Sequence, residues 1–271
     1  MTSSTIVRQQ VWDKLRQVAY PDSRFHYNLA EYIPDFVGSA DALAQFVALP
    51  LYQNSHYLFI TPDNCLTALR EQALRDGKTL VVSTYGIYRG LILLEPDRIP
   101  PAEMRFASWL DGMESYGRSI TLTEMAQGRP FDALVTGASA VSLEGLRFGK
   151  GHGFFDLEWG MFSAIGVVVE STPIAAFVHD VQVVEAPLTP GRTDVAVDWI
   201  ITPTQVRSLQ RNQPRPQGIQ WDLLTAEAIH NTPPCKNCSG NSPPHPCPER
   251  MKSLASHQLP EFHRQSCLLE F

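Results

Sequence analysis

The residues with the clearest chemical potential lie in one run: Arg147-Phe148-Gly149-Lys150-Gly151-His152-Gly153-Phe154-Phe155-Asp156. Three alternate glycines let backbone N–H groups approach an anion closely, and Arg147 and Lys150 put positive charge beside them. A helix starting near Gly153 aims its unpaired amides and the positive end of its dipole at the same anion. Asp156 follows, where a carboxylate can hold a magnesium ion on a polyphosphate. Taken alone, the glycine pattern fits either a nucleotide-phosphate loop or a glycine-rich surface turn.

Something must position that run. Residues 133–135 form a short apolar stretch suited to a buried strand ahead of the loop, and an apolar pattern resumes over 154–165. Near the N-terminus, Ser4 and Thr5 can cap a helix carrying Val7, Val11, Leu15 and Val18 at helical spacing. Arg8 and Lys14 sit off that stripe. Ser39 is placed to cap a helix bearing Leu43, Phe46 and Val47 and stopped by Pro50. Tyr57–Ile60 predicts a strand, Pro62 and Asp63 a helix start, Gly77 a helix end, and Thr79–Ser83 a second strand. A strand–helix–strand unit implies a parallel sheet with a right-handed crossover. Asp63 is then either a helix cap or a ligand contact, because open α/β sheets bind ligands at the carboxyl ends of their strands. Pro101 predicts a helix through Met104, Phe106 and Leu110, with Trp109 packed under a loop. Strands follow at 174–178, closing on His179-Asp180, and at 195–201, with 181–184 extending or pairing beside the first. His179 fits a ligand or acid–base role, or a hydrogen-bonded strand end.

The 271 residues hold 22 basic and 28 acidic side chains, a net charge of −6. That balance implies no general polyanion-binding surface and argues against nucleic acid as a partner. No apolar run approaches the roughly 20 residues that span a bilayer, and the first residues lack the apolar core of a secretory signal. Of five cysteines only Cys65 precedes the C-terminal tail, so no disulfide framework is expected in the body and a cytoplasmic setting follows. Residues 210–271 are rich in proline and polar side chains and carry Cys235, Cys238, Cys247 and Cys267 with His245, His257 and His263. They are expected to form a partly disordered extension of a domain at 1–209, with zinc binding by the cysteines and histidines as the alternative.

Taken together, these residues resemble the 5-formyltetrahydrofolate cyclo-ligases (methenyltetrahydrofolate synthetases). That family carries a Gly-x-Ala-Phe-Asp turn and then Arg-Leu-Gly-x-Gly-x-Gly-Tyr-Tyr-Asp. Here the counterparts are Gly137-Ala138-Ser139-Ala140-Val141-Ser142 and the run from Arg147 to Asp156, with the same five-residue step between turn and arginine. The resemblance covers roughly the first three-quarters of the chain and implies a three-layer α/β/α fold with a mostly parallel sheet. It also implies an ATP- and Mg²⁺-dependent, C–N bond-forming ligase. In the family's reaction ATP phosphorylates the formyl oxygen of 5-formyltetrahydrofolate, N10 attacks, and phosphate leaves to give 5,10-methenyltetrahydrofolate. By the same resemblance Val7-Arg8 matches the family's N-terminal Leu-Arg, so Arg8 would contact phosphate. Phe148, Gly149, Lys150, Gly151, His152, Gly153, Phe154 and Phe155 would bind ATP, with Arg147 and Lys150 catalytic. Leu58 and Asp63 would bind the reduced folate, and Asp156 and Asp194, the latter in a Gln182…Pro187…Asp194 run, would hold magnesium. The chain departs from the pattern at Ser4, where the family has lysine, and at Val141-Ser142. It departs again at His152, Phe154, Phe155, Leu157 and the His179-Asp180-Val181-Gln182 segment. Those departures resemble a distinct branch of cyclo-ligase-like proteins, for which a different acceptor or a non-catalytic binding role stands as the alternative.

Overall fold

Two short runs, β1 (Tyr57–Ile60) and β2 (Thr79–Ser83), are apolar at almost every position, as strands buried on both faces must be. The computed structural model describes residues 3–185, 188–211 and 213–238; Pro187, the side chain of Cys238, and Cys247, Cys267, His245, His257 and His263 lie outside them. The remaining strands are β3 (Leu91–Leu94), β4 (Arg118–Ile120), β5 (Ala133–Thr136), β6 (Ala140–Ser142), β7 (Arg147–Phe148), β8 (Ile174–Phe177), β9 (Val183–Val184), β10 (Trp199–Ile201) and β11 (Val206–Ser208). Eight of them make one sheet in the order β11-β10-β8-β5-β1-β2-β3-β4. Its five central strands run parallel, while β3, β4 and β11 add antiparallel edges. A second sheet, β7-β6-β9, stands beside it.

The helices are α1 (Ser3–Leu15), α2 (Ser39–Val47), α3 (Pro50–Gln53), α4 (Thr67–Arg75), α5 (Met104–Ala107), α6 (Met113–Tyr116), α7 (Leu122–Gln127), α8 (Phe154–Ala164), α9 (Ala226–Asn231) and α10 (Pro233–Cys238). Strand alternation sorts the core into two layers. Phe59, Val81 and Leu134 face Leu122 and Met125 of α7 and Trp159 and Phe162 of α8. Leu58, Ile60, Leu80 and Val82 face Phe46 of α2 and Leu69 and Leu74 of α4. The expected three-layer α/β fold with its mostly parallel sheet is the one formed.

Three local expectations change. The helix expected from Pro101 through Leu110 is instead the single turn α5, followed after a break by the separate turn α6. The Ser108 hydroxyl donates to Arg105 O, and Arg70 Nε takes the Ser108 carbonyl at 2.8 Å, so helical partners are diverted. Trp109, between the two turns, is 43% exposed rather than packed. Residues 183–184 pair with β6 in the second sheet instead of extending β8.

Candidate functional site

The order of strand addition reverses between β1 and β5, because the chain first adds β2 on one side of β1 and later returns to the other. A crevice opens at such a switch point, beyond the carboxyl ends of the strands. Here it is a cleft lined from β1, β2, β5 and the glycine loop. Thr61 and Asp63 follow β1, Ser83 to Tyr85 end or follow β2, and Thr136 ends β5. Asp63 bridges the switch: its Oδ2 accepts from Thr61 Oγ1 at 2.6 Å and from Gly137 N–H at 3.1 Å. Both bonds fall on Oδ2, which leaves Oδ1 for a ligand donor. Behind it, Arg70 is fully buried and donates to the carbonyls of Thr61, Asp63 and Ser108 and to the Thr67 hydroxyl. Burial lowers its pKa to about 10, and the nearby Asp63 charge partly offsets that.

The glycine loop reaches the cleft through the second sheet. A hairpin pairs β6 with β7, setting Val141 opposite Arg147 and Ala140 opposite Phe148. Gln182 Nε2 donates to Ala138 O, holding the base of that hairpin. Arg147 is 3% exposed, sits 4.6 Å from the Phe155 ring, and has Nη2 3.5 Å from Asp156 Oδ2. Its Nε is buried without a hydrogen-bond partner. Lys150 Nζ lies 5.1 Å from the Tyr85 ring and 5.7 Å from that of Phe154. The loop then passes through Gly151 and Gly153 with φ of 115° and 67°, conformations that favour glycine, and Gly153 caps α8. The N-terminal amides of α8 therefore adjoin Arg147 and Lys150, and an anion fits there.

A second group meets the loop from the other side. In α1, Val7 packs against the small cluster of Leu146, Phe148 and Leu188, which brings the Arg8 guanidinium within 6.0 Å of the Phe148 ring. Arg8 also stands close to Gly151, and Asp194 adds a favourable charge to it. Asp156 Oδ1 accepts from Val195 N–H at 3.0 Å, while Asp194 Oδ2 accepts from Gly191 N–H at 2.7 Å. Burial pushes the Asp156 carboxyl up to about 6, and the Asp194 charge adds to that against the pull of Arg147. Among the described residues no three or more His, Cys, Asp or Glu side chains form a metal cage. Magnesium does not need one: it binds one or two carboxylates and completes its octahedron with water and phosphate. Two neighbouring carboxylates beside a phosphate cradle fit that requirement.

The sequence model of the 5-formyltetrahydrofolate cyclo-ligase family matches residues 1–203. The chain belongs to that family. It is 32% identical over 232 residues to a Danio rerio methenyltetrahydrofolate synthase domain-containing protein, covering 84% of this chain and 59% of the relative. The Homo sapiens protein of the same name is 31% identical over 230 residues, with the same coverage. The chain thus spans about three-fifths of the length of these relatives. The NMR structure of Aquifex aeolicus 5,10-methenyltetrahydrofolate synthetase shares the fold at a TM-score of 0.50 and 18% identity, over 78% of this chain and 95% of that one.

Against this cyclo-ligase frame, the cleft gathers Asp63, Arg147, Gly149, Lys150, His152, Gly153, Phe154 and Phe155. Arg8, Gly151, Asp156 and Asp194 meet just outside it. Two expected contacts sit elsewhere. Leu58 is fully buried in the α2–α4 layer and does not line the cleft, because a side chain at that strand position faces the helices. Phe148 lies in the small cluster beneath Arg8. Ser142, where the family has aspartate, is a hairpin residue whose hydroxyl accepts from Leu146 N–H at 3.2 Å. His179 caps a short 3-10 turn, its Nδ1 accepting from Val181 N–H, and burial lowers its pKa.

The structure adds Glu158 to the site. It is 1% exposed, lines the cleft and bonds to Ser83. Burial pushes its pKa up to about 8, and Asp63 reinforces that shift while Ser83, Arg147 and Lys150 oppose it. One signal was available in the sequence. Phe155, Glu158 and Phe162 are spaced three and four apart, so a helix that buries the phenylalanines buries the acid too. Arg70 sits likewise between Leu66 and Leu74.

Proposed function

We propose that this protein is an ATP- and Mg²⁺-dependent 5-formyltetrahydrofolate cyclo-ligase acting through the domain at 1–209, with 210–271 as an extension. The observation that carries the reading is the convergence, at one switch-point cleft, of a carboxylate fixed for a ligand and an arginine–lysine–glycine cradle. Asp63 accepts hydrogen bonds from the N–H groups of the reduced pterin, and the aromatic rings of Phe25, Tyr32 and Tyr85 flank that space. The α8 amides, Arg147 and Lys150 bind the transferred phosphoryl group and neutralise the charge that builds on it. Arg8 binds the adjoining phosphates. Asp156 and Asp194 would hold magnesium, which would supply charge neutralisation to the bound polyphosphate. The formyl oxygen takes the phosphoryl group, N10 closes the ring, and phosphate departs. The free, buried thiol of Cys65 suits a reducing cytoplasm.

A second reading keeps the nucleotide and changes the acceptor. Glu158 favours it, because a buried carboxyl beside Asp63 presents two acids to the acceptor. One assay separates the readings: methenyltetrahydrofolate absorbance with purified protein, 5-formyltetrahydrofolate, ATP and Mg²⁺. ATP-dependent product supports the first. No product from folded protein that still binds ATP transfers the case to the second, and loss of ATP binding as well defeats both in favour of a non-catalytic role.

A further inference from the structure

The family match ends at residue 203, yet the chain continues as a strap fastened to α8. Arg215 is buried, donating to the carbonyls of Ala196, Glu170 and Thr172 and pairing with Asp198, its guanidinium 4.9 Å from the Trp159 ring. Trp159 Nε1 donates to Pro216 O at 2.7 Å, and Gly218 N–H to Ser163 Oγ at 2.9 Å. Gly160 permits this approach, since a Cβ there would sit 3.0 Å from Gly218 O. Further on, Thr232 and Cys235 are buried again. Between these anchors the strap walls a second, open chamber.

This chamber joins the cleft: Gly86, His152, Gly153 and Phe154 line both. His152 stacks on Phe154 at 5.4 Å along that shared wall. Asp156 and Leu157 of α8 line it together with Gln220, Leu224, Ala228 and Asn231 of the strap. Tyr88 and Leu223 also line it, 53% and 50% exposed. A nucleotide whose phosphates rest on the glycine loop can extend its nucleoside in two directions. The cleft is lined by the half-buried Asp63 and the buried Glu158 and suits the acceptor. The chamber offers open aromatic and aliphatic faces for a ring, with side-chain amides for its polar edge.

We propose that the strap residues 216–232 complete the site for the base and ribose of a nucleoside triphosphate. This rests on the nucleotide-dependent function above. Leu223, Leu224 and Tyr88 cover the base, and Gln220 and Asn231 bond its edge or the ribose. The strap is thus a specificity element that the family-matched region lacks.

The test uses the full chain and three probes: Mg²⁺–ATP, Mg²⁺–tripolyphosphate, which engages only the phosphate cradle, and 5-formyltetrahydrofolate. Ala228→Trp fills the chamber from α9. It is expected to weaken ATP binding about ten-fold or more while tripolyphosphate and folate affinities stay as in the parent. Asn231→Ala is the milder companion, with ATP affinity a few-fold lower, and it carries the comparison if Ala228→Trp does not fold. Unchanged ATP affinity in the folded variants overturns the proposal, as does a parallel loss of tripolyphosphate. If the parent protein binds tripolyphosphate but shows no added affinity for ATP, the strap's role also fails. A parent protein that binds neither removes the nucleotide reading itself.

Discussion

Arg147, proposed above to neutralise charge on the transferred phosphoryl group, has its Nε buried without a hydrogen-bond partner. Replacing it by methionine removes that donor set and the charge beside Asp156. The account expects kcat for the proposed reaction to fall about 10²–10³-fold, with the folate KM changed far less; steady-state kinetics in the two substrates measure the split. Glu158 gives a prediction of a different kind. Its folded pKa of about 8 lies above the 4.5 of a free glutamate. The folded state therefore binds the proton more tightly, and the stability it contributes is complete below pH 4.5 and lost as pH rises toward 8. In protein free of nucleotide and magnesium, Glu158→Gln should flatten this slope and be the more stable form at pH 8, by on the order of a few kcal/mol. Denaturant melts of both proteins at pH 5 and pH 8 check it; parallel slopes would contradict it. The glycine loop was legible because its residues are contiguous and their spacing is itself the signal. Glu158 and Arg70 were not, because a charged side chain on a buried stripe is visible only once the burial of its helical neighbours is known. Leu58, expected at the substrate through the family resemblance, lies in the α2–α4 layer, a placement visible only once the strand's register is fixed.

At the scale of elements, β1, β2, β5 and β8 were legible from short apolar runs bounded by turn residues. β3 was not, since Leu91–Leu94 is a four-residue apolar run without periodicity, which alone does not distinguish strand from buried helix. The helix expected from Pro101 failed because hydrogen bonds from Ser108 and Arg70 compete with its own. The strap is the largest element that composition concealed. Its anchors, Arg215, Gly218, Thr232 and Cys235, are separated by prolines and polar residues and follow no period. Arg215→Met leaves Asp198 and the carbonyls of Glu170, Thr172 and Ala196 without this donor. It should cost on the order of 3 kcal/mol, read as a lower urea midpoint, and it should loosen protease sensitivity first within 213–235. An unchanged midpoint would show that the strap adds nothing to the fold.

For the whole molecule, the two core layers fix the sheet while the second sheet, α1 and the strap bring the loop, Arg8 and the chamber around one end of it. Ligand binding should therefore register as global stability. Mg²⁺–ATP at about one hundred times its Kd adds about 2.7 kcal/mol, which for a chain of this size raises Tm by several degrees. ATP without magnesium should do less, because Asp156 and Asp194 then face the phosphates uncompensated. A net charge of −6 gives no reason for polyanions in general to substitute, so single-stranded nucleic acid at matched phosphate concentration should leave Tm unmoved. The central claim is that phosphoryl transfer to the formyl oxygen and ring closure occur in one cleft. Its most direct measurement follows phosphate release and methenyltetrahydrofolate absorbance together in one reaction containing 5-formyltetrahydrofolate, ATP and Mg²⁺. The account predicts one phosphate for each methenyl product, with neither formed when ATP or the folate is left out. Phosphate release without methenyl product, or release indifferent to the folate, would contradict it.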